Sequence, residues 1–461
     1  MLWTSWVGAL LLLTAVGWRS ALGQAVPITL EGGTLLNPES PPIPNATIVI
    51  QDGRILCAGA ADTCRRPARS KSVDVRGAYV GPGLIDSHVH YGQTGWVDGR
   101  PDAVDVRAQY PYDSVVSVLA SHPETFHRAY LCSGVTSVFD VGGFPWSIGI
   151  ARETRNSSSA PRMLAAGPLL ATIRVLPQMA GQFVFMNDDS TVRAAVRAHR
   201  ALGADALKVW YIEVPDSLRP HMKAMLMAAA DEARKVGLRL IVHATELRAA
   251  KDALQAGAVV LVHDVFAGTI DSEFVVAAKR NGTIVIPTLT VLEGYADVFL
   301  GGSPASRYPF DCVDRATRAK LETILPDTLR ARGKAFWGGP EAARLRETGA
   351  DNLRRMYNAG IPIAMGTDAG NPGTAHGPSV YREMEAMQEA GMPARAVFAA
   401  ATIVAARALA LDREVGSVAA GKRADLVVFG ADPTADIRNA RQVRFVVRNG
   451  VLYSRDDLLP K

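Results

Sequence analysis

Gly81-Pro82-Gly83-Leu84-Ile85-Asp86-Ser87-His88-Val89-His90 decides how the rest of the chain is read. An apolar run ends in two histidines spaced i, i+2, and in a strand that spacing turns both imidazoles to one side, where they can share a metal ion. Alone the pair is a weak sign, since histidines at a strand end are commonly structural or exposed. Its meaning depends on whether other segments bring further ligands.

Downstream, short β-branched runs alternate with amphipathic helical stretches such as Ser190 to Leu202 and Arg219 to Val236. Eight strands are expected: Tyr79 to Ile85, Thr136 to Val141, Arg162 to Ala166, Asp205 to Val209, Leu238 to Val242, Val259 to Val262, Thr283 to Pro287 and Pro362 to Met365. Repeated strand-helix units predict an α/β fold, a (β/α)8 TIM barrel with insertions. A doubly wound sheet is the alternative, but no Gly-x-Gly-x-x-Gly follows the first strand.

In such a barrel the reactive groups sit at the C-terminal strand ends. His88 and His90, Lys208, His243, His263 and Asp368 all fall there. Each has an ordinary reading. The single histidines could be satisfied core residues, Lys208 could snorkel outward, and Asp368 could cap a helix. Lys208 is the least ordinary, because Leu207, Val209 and Trp210 would bury its ammonium. Burial favours the neutral amine, which can take up carbon dioxide as a carbamate able to bridge two metals.

Both chain ends read as short strands and turns: Ile28 to Leu30, Ala46 to Ile50, Gly53 to Leu56 and Ser72 to Val75, then Gly416 to Val418, Ala424 to Phe429 and Val443 to Leu452 with its Asn-Gly turn. The expected division is a signal peptide at 1–23, one part of a small β-sandwich domain at 24–80, the barrel at 81–410, and the other part of the β-sandwich at 411–461. The apolar run from Trp6 to Trp18, followed by Ala21-Leu22-Gly23, predicts export to the periplasm or outside the cell; an uncleaved anchor is the alternative. If the signal is cleaved, no stable membrane association is expected.

Of the four cysteines, Cys57 and Cys64 flank a turn-like segment suited to a local bridge, whereas Cys132 and Cys312 read as buried or isolated thiols. The net charge of +5 is dispersed, with no basic block, so no nucleic-acid partner is expected. Hydrophobic residues at 48% and charged residues at 21% describe a globular protein, and a homo-oligomer is left open.

Together, the His-x-His after Gly-Leu-Ile-Asp-Ser, the lysine on strand four, the histidines ending strands five and six, and Gly366-Thr367-Asp368-Ala369-Gly370 resemble the amidohydrolase superfamily. The subgroup they look most like includes imidazolonepropionase and Xaa-Pro and Xaa-Arg/Lys dipeptidases. Gly421 to Val428 and Val447 to Gly450 are similar to its closing strands. The resemblance implies two divalent metal ions, zinc by default. His88, His90 and Asp368 would hold one, His243 and His263 the other, and carboxylated Lys208 would bridge them. It implies a bridging hydroxide as nucleophile with Asp368 as general base, cleaving the C–N bond of a small-molecule amide or peptide, such as a dipeptide or N-acyl amino acid. Cyclic amides, aryl amides or ureas, and lactones are the alternative substrates, and an inactive barrel used as a scaffold is a third reading. Tyr211, His376 and Arg174 are candidate substrate contacts, with loop packing as the ordinary explanation. The chain departs from the subgroup at Ala171 to Gln178, where many members carry Gly-Gly-His, and at Tyr211 to Val214, where small residues are usual.

Overall fold

In the computed structural model, residues 26–460 are described. The signal-peptide reading of residues 1–23 lies outside them.

Strands from both chain ends share one sheet, ordered Val451–Ser454, Val443–Arg448, Leu426–Phe429, Tyr79–Pro82, Ile28–Asn37, Ser40–Gln51, Arg54–Ala60, with Lys71–Asp74 beside Ile28–Asn37. Leu30, Ile48, Val80, Leu426, Val428 and Val447 bury a common apolar face on it. Asn449 and Gly450, at φ 50° and 80°, make the tight turn between the last two strands. The strand expected at Gly416 to Val418 is instead a loop. Its backbone hydrogen-bonds to a side chain rather than to a ladder: Val418 N–H donates to Asn37 Oδ1 at 2.7 Å, and Asn37 Nδ2 donates back to Val418 O at 3.1 Å.

The segment expected as one strand from Tyr79 to Ile85 divides at Gly83. Tyr79–Pro82 pairs antiparallel with Leu426–Phe429, while Leu84–Val89 begins the parallel structure. Any side chain at Gly83 would meet Thr136 Oγ1 at 2.1 Å, so only glycine lets the chain pass between the two sheets here.

The remaining strands are parallel. Leu84–Val89, Val135–Asp140 and Arg162–Ala165 form one sheet; Phe183–Phe185, Leu169–Ala171, Leu207–Trp210, Leu240–His243, Val260–Val262 and Ile284–Ile286 form the other. At one margin Asp205 N–H donates to Ala165 O at 2.9 Å. At the other, Ala364 N–H donates to Val285 O at 2.9 Å and Ser87 N–H to Met365 O at 3.1 Å, so residues 362–365 lie between the last strand and the first. Helices Asp189–Leu202, Arg219–Val236, Leu247–Ala256 and Ser272–Asn281 alternate with these strands.

Between Ile284–Ile286 and residue 362 the chain inserts helices Leu289–Leu300, Arg315–Leu321, Asp327–Trp337 and Pro340–Asn358. Val291, Tyr295, Phe299 and Leu321 there share a core with Trp96, Val97 and Val104 from the loop after the first parallel strand. Cys132 and Cys312 form a disulfide across 180 residues, which corrects the expectation of isolated thiols. The fold brings their Cα atoms to 5.6 Å, a proximity that spacing does not reveal. Cys57 and Cys64 are also bridged.

Candidate metal centre and its cavity

Three strand-end residues converge most closely. His88 and His90 place their Nε2 atoms 3.3 Å apart, and Asp368 Oδ1 lies 3.3 Å from the first and 3.0 Å from the second. All three are buried, with His88 fully so. Asp86, on the same strand, clasps this arrangement together: it accepts from His88 N–H at 3.3 Å, Thr367 N–H at 3.0 Å and Thr367 Oγ1 at 2.6 Å. Asp368 N–H in turn donates to His88 O at 2.7 Å.

The second group is continuous with the first. The His88 and His263 rings are 4.9 Å apart between centroids, those of His243 and His263 4.3 Å, and His263 Nδ1 lies 3.9 Å from Asp368 Oδ2. Lys208, 1% exposed, lines the same cavity. His263, Thr288 and Asp368 have φ of 71°, 51° and 60°, left-handed values that cost free energy for residues with side chains. Their grouping at this one place, held by the surrounding strands, is what a functional constraint on backbone produces.

Electrostatics prepare the histidines as ligands. Burial, then the neighbouring Lys208 amine, pushes His88 and His243 well below the usual imidazole value, and burial followed by His243 does so for His263. They are therefore neutral, the form that ligates metal. The Lys208 amine falls to about 7 through burial, partly opposed by Asp368. Burial raises Asp368, but His90, His263 and Lys208 together more than offset it and leave the group an anion.

The donor set fits a divalent cation. Asp368 Oδ1 is buried without a hydrogen-bond partner although two imidazole nitrogens face it, an arrangement costly unless something shared lies between them. His90 Nδ1 donates to Gly142 O at 2.6 Å, which turns the Nε2 lone pair toward Asp368. His263 Nδ1 is held by Thr288 Oγ1 at 2.7 Å. Two imidazoles and a carboxylate are an ordinary zinc donor set.

Above these groups is a cavity of about 340 Å³ whose wall includes Arg100, Asp102, Phe183, Trp210, Tyr295 and Trp337. Arg100 grips Asp102 through two bonds, at 2.8 and 2.7 Å, and also donates to Asn371 Oδ1. Tyr295 donates to that same oxygen at 3.0 Å and stacks on Trp337 with centroids 4.6 Å apart. None of the three substrate contacts expected from sequence is in the wall. Arg174 is exposed and lies over the Phe185 ring at 4.2 Å. Tyr211 donates to Asp252 at 3.4 Å. Buried His376 accepts from Tyr130 at 2.8 Å and donates to Gln93 O at 2.9 Å. Arg100 escaped the sequence reading; the signal was a cation in the loop after the first strand, ten residues beyond His90.

Comparison with known proteins identifies a family for the chain. The model of the amidohydrolase family matches residues 79–452. Imidazolonepropionase of Geobacillus kaustophilus is 25% identical over 418 residues, covering 84% of each chain. That of Rhizorhabdus wittichii is 25% identical over 429 residues, covering 86% of this chain and 90% of its own. A solved Xaa-Pro dipeptidase with bound methionine aligns with a TM-score of 0.70 at 25% identity, covering 93% of this chain and 100% of its own. With the family match spanning well over half of its 461 residues, the chain belongs to the amidohydrolase family.

Proposed function

We propose that this protein is a metal-dependent hydrolase of C–N bonds whose substrate is a dipeptide or N-acyl amino acid. The observation that carries the reading is the partnerless, buried Asp368 oxygen between the nitrogens of His88 and His90, with Lys208, His243 and His263 beside it. His88, His90 and Asp368 would hold one divalent ion, His243 and His263 a second, and carboxylated Lys208 would join them. When bound, such ions supply a water that ionises near neutral pH and polarise a carbonyl. Asp368 accepts the proton of the attacking water and delivers it to the departing nitrogen. The aromatic wall excludes solvent and orients the amide.

Arg100 takes the place that Arg174 was expected to fill. Arg100 lines the cavity, and a substrate carboxylate could be anchored there by sharing the guanidinium with Asp102 and Asn371. One observation favours a second reading. Arg100 is already paired with Asp102, and the facing surfaces are aromatic, which suits a neutral aryl amide or urea. The parallel strands are taken as one (β/α)8 barrel, supported by the hydrogen bonds at both margins. Export is supported by two disulfides among the described residues, which suit an oxidising compartment.

Zinc-reconstituted, bicarbonate-treated protein, assayed on dipeptides, N-acyl amino acids, aryl amides, ureas and lactones, tests the proposal. Amine release from carboxylate-bearing amides is the expected result. Turnover of neutral aryl substrates alone would select the second reading. With both ions bound, inactivity toward every amide and urea would oppose C–N hydrolysis.

A further inference from the structure

The helix Leu289–Leu300 starts just after the strand Ile284–Ile286, and its first turn leaves amide N–H groups that need acceptors. The residue before it, Thr288, is of a type that commonly supplies one with its own hydroxyl. Here it does not. Thr288 makes no side-chain cap, sits at φ 51° rather than in the extended form of an ordinary cap, and its Oγ1 instead meets His263 Nδ1 at 2.7 Å. The acceptor comes from another helix, Ser379–Glu389: Glu383 accepts from Leu289 N–H on Oε1 at 3.0 Å and from Thr290 N–H on Oε2 at 2.8 Å.

Glu383 is fully buried, and its neighbour Arg382 is committed to Glu293 and Glu389 at 2.7 Å each. A carboxyl so placed costs free energy unless hydrogen bonds offset it, and the start of a helix supplies them. Burial pushes the group up to about 8 against the pull of the two amides, with Glu293 adding to the rise. The Thr290 hydroxyl beside it can donate to the anion or accept from the acid, so the clamp holds in both forms. Thr290 Oγ1 also lies 3.3 Å from Thr367 O, next to Asp368. Residues 288–290 therefore touch two segments that carry candidate metal ligands, and Glu383 fixes where residues 288–290 sit.

We infer that Glu383 is a positioning residue for the metal centre: by capping the helix Leu289–Leu300 from outside, it frees the Thr288 hydroxyl to hold His263 Nδ1, leaving Nε2 as the ligating nitrogen. The two roles compete for one hydroxyl. Without the Glu383 acceptor, Thr288 is drawn to cap its own helix, and His263 loses the partner that fixes its tautomer and tilt. Thr367 keeps its two bonds to Asp86, so the site of His88, His90 and Asp368 should be disturbed far less. The inference rests on the proposed function in so far as it takes His263 to be a ligand.

Stepwise zinc titration of the full-length, metal-free protein against a chelating indicator tests it, with His243→Asn marking which step belongs to the His243 and His263 site. Glu383→Gln keeps the shape but offers one acceptor where two are needed. It should weaken that step about tenfold or more while the other changes by about twofold or less. Thr288→Val should do the same. Because both act through one bond, the double variant should bind no more weakly than the weaker single. Unchanged affinity of that step in Glu383→Gln, equal weakening of both steps, or additive losses in the double variant would overturn the inference. Uptake of only one ion by the wild type would count against the two-ion reading and not the clamp, which ¹⁵N NMR of the metal-free protein then reads alone. The His263 ring, assigned through His263→Asn, should be in the Nδ1–H tautomer in wild type and mixed in Glu383→Gln. The same tautomer in both would overturn the inference.

Discussion

The inner and outer faces of the catalytic cavity are built differently. The inner face is made of strand ends: His88, His90, Lys208, His243, His263 and Asp368 each follow or sit within an apolar run, and Asp86 and the parallel ladders lock them in place. The outer face comes from loops and the inserted helices, where Arg100, Tyr295 and Trp337 meet from segments far apart in sequence. The difference separates chemistry from choice of substrate. A reaction centre on rigid strands is carried by spacing, whereas a pocket wall on an insertion can vary without moving it.

Substitutions on the inner face should therefore abolish turnover, and those on the outer face should redirect it. Asp368→Asn removes the proposed proton carrier and is expected to lower kcat by about 10²- to 10⁴-fold on every substrate. Near-normal turnover would reject Asp368 as the base. Lys208→Ala should lose metal affinity by about tenfold to a hundredfold, with activity partly restored by short carboxylic acids standing in for the proposed carbamate. Undiminished metal content and rate in that variant would make the lysine structural. On the outer face, Arg100→Gln should raise KM for carboxylate-bearing amides by about 10- to 100-fold, as loss of a charge-assisted hydrogen bond does, while neutral amides keep their KM. An equal loss on both substrate types would assign Arg100 to architecture.

The smaller effects concern what holds the two faces together. Replacing both Cys132 and Cys312 by serine releases the segment between the inserted helices and should cost about 2–4 kcal/mol in unfolding free energy with metal retained. Urea unfolding with metal analysis reads this directly. The Lys208 amine, lowered from 10.5 to about 7, gives a pH signature in the metal-free protein. Between those values the unfolded chain holds the extra proton, so this group makes stability rise with pH from about 7 toward 10.5, by at most about 1.4 kcal/mol per pH unit. Lys208→Met should flatten that slope. An unchanged slope would place the amine in solvent.

The same division explains how far the sequence could be read. Strand ends were legible because an apolar run of fixed length stops at a polar residue, as in Leu240 to His243. Asp86 lies within the Gly81 to His90 stretch, but its role depends on Thr367, 281 residues away. Arg174 follows the expected third strand at a distance where a loop residue could reach the cavity. A further short strand, Leu169–Ala171, joins the other parallel sheet after Arg162–Ala165, and Arg174 beyond it is exposed. Arg100, Trp337 and the Cys132–Cys312 bridge are set by how the insertion docks on the loop after the first strand, and tertiary contacts of that kind leave no local periodicity.

Metal stoichiometry of the purified, active protein tests the central claim most directly. About two equivalents of divalent transition metal per chain are predicted, with loss of activity on chelation and recovery on adding zinc. Full activity with less than about half an equivalent of any such metal would contradict a metal-dependent hydrolase built on His88, His90 and Asp368.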